Sequence, residues 1–119
     1  MDKWQAQQFY WESFGLPAYD ANTVPDDAVM PYITYEAASG SLDGIIPITA
    51  SLWYRSNRWD QISKKQSEMS KTMNRQIKID GGYMKVRKPE TNEAQRMDEP
   101  NDRLVRRMLL NVEIEFLSE

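Results

Sequence analysis

Two long stretches of this chain alternate apolar and polar residues with a period of two, and that pattern restricts the chain to folds built on a half-buried sheet. From 46 to 55, Ile46, Ile48, Ala50, Leu52 and Tyr54 fall on one side. Pro47, Thr49, Ser51, Trp53 and Arg55 fall on the other. From about 104 to 117, Met108, Leu110, Val112, Ile114 and Phe116 face one way and Arg107, Asn111, Glu113 and Glu115 the other, with Leu109 as the exception. Successive side chains of a strand point to opposite faces, so each run has one face for a core and one for water. Pro47 stands near a strand start, where its missing N–H does least harm.

Helical spacing appears twice. Between 2 and 14, Ala6, Phe9, Tyr10 and Phe14 recur at three and four residues, and Trp4 and Trp11 lie one heptad apart. Asp2 suits the start of that helix, and Gly15 followed by Pro17 suits its end. Between about 58 and 76, Trp59, Ile62, Gln66, Met69, Met73 and Ile77 make one apolar stripe, preceded by Asn57 as N-cap and Asp60 at the capping-box position. Tyr32 to Glu36 is rich in β-formers and predicts a strand over about 32–37. The run from Ile77 through Asp80-Gly81-Gly82 to Arg87 predicts a hairpin with strands over about 77–80 and 83–88. Residues 15–31, Ser39 to Gly44, and 89–103 read as loops. The prediction is one α+β domain over 1–119, a two-layer fold. Its sheet is antiparallel or mixed, has about four to five strands, and carries two helices.

Chemistry is restricted by what the chain lacks. It has no cysteine and no histidine, so thiolate nucleophiles, disulfides, Cys/His zinc sites and histidine triads are excluded. A formal net charge of -3 argues against bulk DNA binding through a basic face. No apolar run approaches the roughly 18 residues that span a bilayer. Met1-Asp2-Lys3-Trp4-Gln5 lacks the basic-then-apolar layout of a secretion signal. The expectation is a soluble protein made in the cytoplasm, with no catalytic residue, metal or cofactor.

The acids Asp26-Asp27, and Asp98-Glu99 with Asp102, are candidates for a divalent ion, but they lack calcium-loop spacing and read as solvated loop acids. Gly40-x-x-x-Gly44 and Gly81-Gly82 lack the lysine of a phosphate loop and read as turn glycines. Arg103, Arg106 and Arg107, with Arg96 nearby, either pair with acids or phosphate on a partner or serve as strand-edge charges against aggregation. Trp53, on the polar side of its strand, either completes a small second core under the first helix or sits in a subunit contact.

Several strings, in this order and spacing, resemble a known family. Met30-Pro31-Tyr32-Ile33-Thr34-Tyr35-Glu36, Ala50-Ser51-Leu52-Trp53-Tyr54-Arg55-Ser56, and Ile77-Lys78-Ile79-Asp80-Gly81-Gly82-Tyr83-Met84 resemble successive strands of the tail terminator proteins of tailed bacteriophages. These are also called tail completion or minor capsid proteins. Ala94-Gln95-Arg96-Met97 and the closing run from Arg106-Arg107-Met108 to Phe116-Leu117 are similar again. The resemblance implies a ring, commonly a hexamer, formed free or only on the tail, that caps the tail tube and stops its polymerisation. It implies contacts with the major tail tube protein and with the head-closure or connector protein. DNA would pass through the lumen without specific binding. The place of such a protein is the virion tail or neck, assembled in the bacterial cytoplasm, with no membrane partner and no enzymatic activity.

A closed ring needs two different patches on one subunit. The expected contributors are the loops 15–31 and 89–103 and the outward strand face, with Tyr19, Asp26, Asp27, Trp53, Arg55, Arg96, Asp98, Glu99, Arg103 and Arg107 as candidate interface residues. Two alternatives remain open at this point. One is another neck or tail part, a head-closure or tube protein. The other is a small ligand-binding or hydrolytic domain using Asp98, Glu99 and Asp102.

Overall fold

The two alternating runs pair with each other. In the computed structural model, which describes residues 1–39 and 44–118, β3 (Ile45–Arg55) lies antiparallel to β7 (Val105–Ser118), in continuous register from Ile45↔Glu115 to Arg55↔Val105. This register sets Ala50 beside Leu110, Leu52 beside Met108 and Ile48 beside Val112, all buried on one face. Burying a side chain such as Leu52 or Leu110 is worth about 1.5–3 kcal/mol.

The remaining elements are α1 (Lys3–Glu12), β1 (Ala18–Asp20), β2 (Tyr32–Tyr35), α2 (Asp60–Ser70), β4 (Arg75–Ile79), β5 (Gly82–Arg87) and β6 (Ala94–Met97). The sheet runs β1-β2-β3-β7-β5-β4, and β6 also pairs with β7. Because β3 fills one edge of β7, the other edge is shared. β6 takes Arg107 to Leu110, and β5 takes Glu113 to Ser118. β1 and β2 are parallel, and the other pairs are antiparallel. The class is α+β and the sheet is mixed, both within the expectation, but among the described residues it has seven strands instead of four to five.

The two extra strands fall inside expected loops, β1 within 15–31 and β6 within 89–103. At three and four residues they are too short to carry readable alternation, and their strand geometry comes from pairing with β2 and β7. The expected loop from Ser39 to Gly44 lies largely outside the described residues.

Helix α1 begins with a full capping box: Asp2 Oδ1 accepts from the Gln5 amide at 2.8 Å, and Gln5 Oε1 accepts from the Asp2 amide at 2.9 Å. Gly15, at φ 85°, turns the chain away after Phe14. The inward face differs from the expected stripe. Phe9 is 46% exposed, and Gln7 is buried in its place with Ala6, Tyr10 and Trp11. Gln7 acts as a substitute strand partner. Its Nε2 donates to the Ala38 carbonyl at 3.0 Å, and its Oε1 accepts from the Ala38 amide at 2.5 Å. A buried backbone that would otherwise lack partners is thereby satisfied.

Helix α2 is shorter than the expected 58–76, and it starts without a side-chain cap. Trp59 holds the cap position, and Asn57 instead offers its carbonyl to Arg106 at 2.8 Å. Its C-terminal side is cut back because Arg75 to Ile79 pair with β5 around the Asp80-Gly81 turn, where Gly81 has φ 79°. Met73 and Ile77 are buried nonetheless. A spacing of four serves a helix stripe and one face of a strand equally well. Both helices cover the same sheet face and share one core with it. Trp11 stacks on Tyr35 at 6.1 Å, Tyr10 Oη donates to the Met73 carbonyl at 2.8 Å, and Lys65 Nζ donates to the Phe14 carbonyl at 2.6 Å.

Two predictions follow from this packing. A Cβ on Gly82 would overlap the Leu117 backbone carbonyl across the β5–β7 pairing. Gly82→Ala should therefore lower unfolding free energy by roughly 1–3 kcal/mol or more, read as a shifted urea midpoint. Burial raises the Tyr10 hydroxyl pKa far above its ordinary value, with the Arg75 charge pulling it partly back, and burial raises those of Tyr35 and Tyr54 as well. A tyrosine ionises near pH 10 when unfolded, so its folded-state advantage is complete below about pH 10 and is lost as pH rises further. Tyr10→Phe should cost about 0.5–1.5 kcal/mol at neutral pH and flatten the alkaline loss of stability, measured by urea unfolding between about pH 8 and pH 11.

Candidate functional site

With both helices on one face, the opposite face of β1, β2, β3 and β7 carries no helix among the described residues, and the strand registers decide what it displays. Tyr19 lies beside Thr34, Thr34 beside Ser51, Tyr32 beside Trp53, Trp53 beside Arg107, and Ser51 beside Leu109. The aromatic rings form a continuous row. Tyr19 meets Tyr32 edge-on at 5.6 Å, Tyr32 lies 6.4 Å from Trp53, and the Arg107 guanidinium lies 5.0 Å from the Trp53 ring centre. Such contacts hold large side chains in fixed positions ahead of any partner.

Polar contacts fix the row further. Trp53 Nε1 donates to Thr34 Oγ1 at 2.9 Å, and Arg107 Nε donates to Ser51 Oγ at 3.0 Å. Glu99 reaches in from the β6–β7 connection to pair with Arg107 at 3.5 Å. Beside the row, the chain after β1 passes over the sheet at Ala21 and Val24 and leaves a groove of about 300 Å³ against Thr34, Ser51, Trp53 and Arg107. Rigid aromatics and arginine are among the side chains enriched where protein surfaces meet other macromolecules. The tyrosines whose ionisation is suppressed, Tyr10, Tyr35 and Tyr54, belong to the helix side.

Of the residues singled out from sequence, Tyr19, Trp53, Glu99 and Arg107 come together here. Trp53 lies on the helix-free face, so it completes no second core under α1. Arg55, at the end of β3, pairs with Asp102 at 3.6 Å. Arg96 belongs to the helix side, with its guanidinium 4.9 Å from the Trp59 ring centre and 3.3 Å from Ser63 Oγ. Asp98 and Arg103 line a separate concavity of about 350 Å³ with Trp59 and Arg106. Asp26 and Asp27 are exposed on the connection between β1 and β2.

Ser51 was expected on the Trp53 side, whereas Tyr32, Thr34 and Leu109 were missed as members of the face. Alternation gives each of them a side, but only the register between strands makes them neighbours. The acids proposed for a hydrolytic site do not converge. Glu99 pairs with Arg107, while Asp102 pairs with Arg55 and accepts from the Leu104 amide at 2.9 Å. Among the described residues no group of three or more acids is placed to hold a metal ion.

Compared with protein-family models, with curated proteins and with solved structures, the chain matches none.

Proposed function

We propose that this chain is a structural subunit that works by contact geometry, assembling with copies of itself into a ring that ends a phage tail tube and offers a joining surface to the head. The observation that carries the assembly reading is the helix-free face, where Tyr19, Tyr32, Trp53 and Arg107 form an ordered, half-exposed aromatic and cationic row. Tyr, Trp and Arg are the residues most enriched in the energetic centres of interfaces. The tail-terminator part of the reading rests on the family resemblance. In its support, the strings that carry the resemblance lie on β2, β3, β4 with β5, β6 and β7, which hydrogen-bond within a single sheet.

Native mass spectrometry and negative-stain electron microscopy of the full chain, at rising concentration and mixed with tail tubes, test this. Closed rings of one size that cap tubes are expected. Open filaments would move the assignment to a tube subunit, and connector binding without capping would move it to head closure. A strict monomer under all these conditions would overturn it. Trp53→Ala should leave the far-ultraviolet circular dichroism unchanged and weaken assembly or tube capping about tenfold or more, because it removes the centre of the row.

A further inference from the structure

Six arginines gather at the end of the sheet where β3 stops and β7 starts: Arg55, Arg58, Arg96, Arg103, Arg106 and Arg107. Three of them are neutralised locally. Arg55 pairs with Asp102 at 3.6 Å, Arg58 with Asp60 at 3.6 Å, and Arg107 with Glu99 at 3.5 Å. Arg96, Arg103 and Arg106 have no carboxylate partner among the described residues. Arg103 and Arg106 line the concavity of about 350 Å³ beside β6, together with the apolar surfaces of Trp59, Met97, Pro100 and Val105, and Arg96 stands beside it over Trp59. Two of the guanidiniums are held in place over Trp59, Arg96 at 4.9 Å and Arg106 at 5.4 Å from the ring centre. Two acids line the concavity, Asp98 and Glu99; Glu99 is paired with Arg107, which leaves Asp98 alone against Arg103, Arg106 and the neighbouring Arg96.

The opposite margin of the same sheet carries the complement. Between β1 and β2 the Ala28 amide donates to the Pro25 carbonyl at 3.1 Å, which makes residues 25–28 a tight turn with Asp26 and Asp27 at its two central positions. Both carboxylates are exposed and unpaired among the described residues, and Val29, just beyond the turn, is 76% exposed. The turn thus presents adjacent negative charges together with an apolar side chain.

The sheet keeps the two features apart within one chain. From β2 the order passes through β3 and β7 to β6, which is about 14 Å at the usual spacing between strands. We infer that the Asp26-Asp27 turn of one copy docks into the Arg103 and Arg106 concavity of the next, with Arg96 at its side. This rests on the self-assembly reading above and names its subunit contact. Two different patches at opposite margins make a heterologous contact, which repeats from copy to copy and closes a ring when the rotation allows. A second copy fits better than nucleic acid because the whole chain carries net charge -3, which opposes approach to a polyanion.

The absence of cysteine gives a clean test. Full-length Asp27→Cys and Arg103→Cys chains are made separately, mixed at low salt up to millimolar concentration, and joined with a short bis-maleimide. The expected product is the mixed 27–103 dimer, lost at high salt. Arg103→Glu, whose side chain makes no hydrogen bond or ion pair among the described residues, should weaken association about tenfold. So should Asp26→Lys with Asp27→Lys, and mixing the two variants should restore it between unlike chains. Only 27–27 and 103–103 products, or rings insensitive to Arg103→Glu, would overturn this contact and leave self-assembly standing. Mixed dimers without closed rings would uphold the contact and remove the ring. No association at millimolar concentration would overturn the contact. Binding of duplex DNA that Arg103→Glu abolishes, without cross-linking, would assign the cluster to nucleic acid instead.

Discussion

The fold hangs on one ladder, the antiparallel pairing of Ile45–Arg55 with Val105–Ser118. Its register alone determines that Ala50, Leu52, Leu110 and Val112 share the core and that Ser51, Trp53, Arg107 and Leu109 share the other face. A slip of one residue would exchange those faces, moving aliphatic side chains into water and an arginine into the core. The stability of the domain and the composition of its helix-free face therefore rest on the same set of hydrogen bonds.

β7 is long enough to organise the rest of the sheet. With β3 along one edge, its other edge receives β6 near its start and β5 near its end, so three separate stretches of chain meet on one strand. Gly82 permits the close approach of β5, since its missing Cβ leaves room for the Leu117 carbonyl. The helices then close the core from one side only. α1 is fastened by Tyr10 to Met73, by Gln7 to Ala38 and by the Lys65 ammonium at its trailing end. Because both helices lie on one side, the other carries no helix among the described residues.

That free side was partly legible beforehand. Trp53 stood out as a large aromatic on the polar side of an alternating strand, and Arg107 as a charge on another. Their union into a cation–π pair needed the register of β3 against β7. Tyr19 joins the row only because three residues in the middle of an apparent loop pair with β2. Arg96 went the other way. As a neighbour of Arg103 and Arg107 in sequence it read as one basic cluster, yet alternation along β6 and β7 sends Arg96 and Arg107 to opposite faces.

The sequence alone determined the elements whose signal is repeated many times: two long alternating strands, the Asp80-Gly81 hairpin and two helices, all joined by one core. Each such pattern is a sum of local preferences that neighbouring residues reinforce. The three and four residues of β1 and β6 carry neither such a sum nor the run of β-formers that marked β2, so they were settled by tertiary pairing. The end of α2 was settled the same way, since helix and strand spacings agree on Met73 and Ile77, and hydrogen bonds to β5 made the choice. The burial of Gln7 likewise depended on a partner, Ala38, that is distant in the chain. Which side chains become neighbours is a property of register and layer, and those are fixed only when strands far apart in sequence come together.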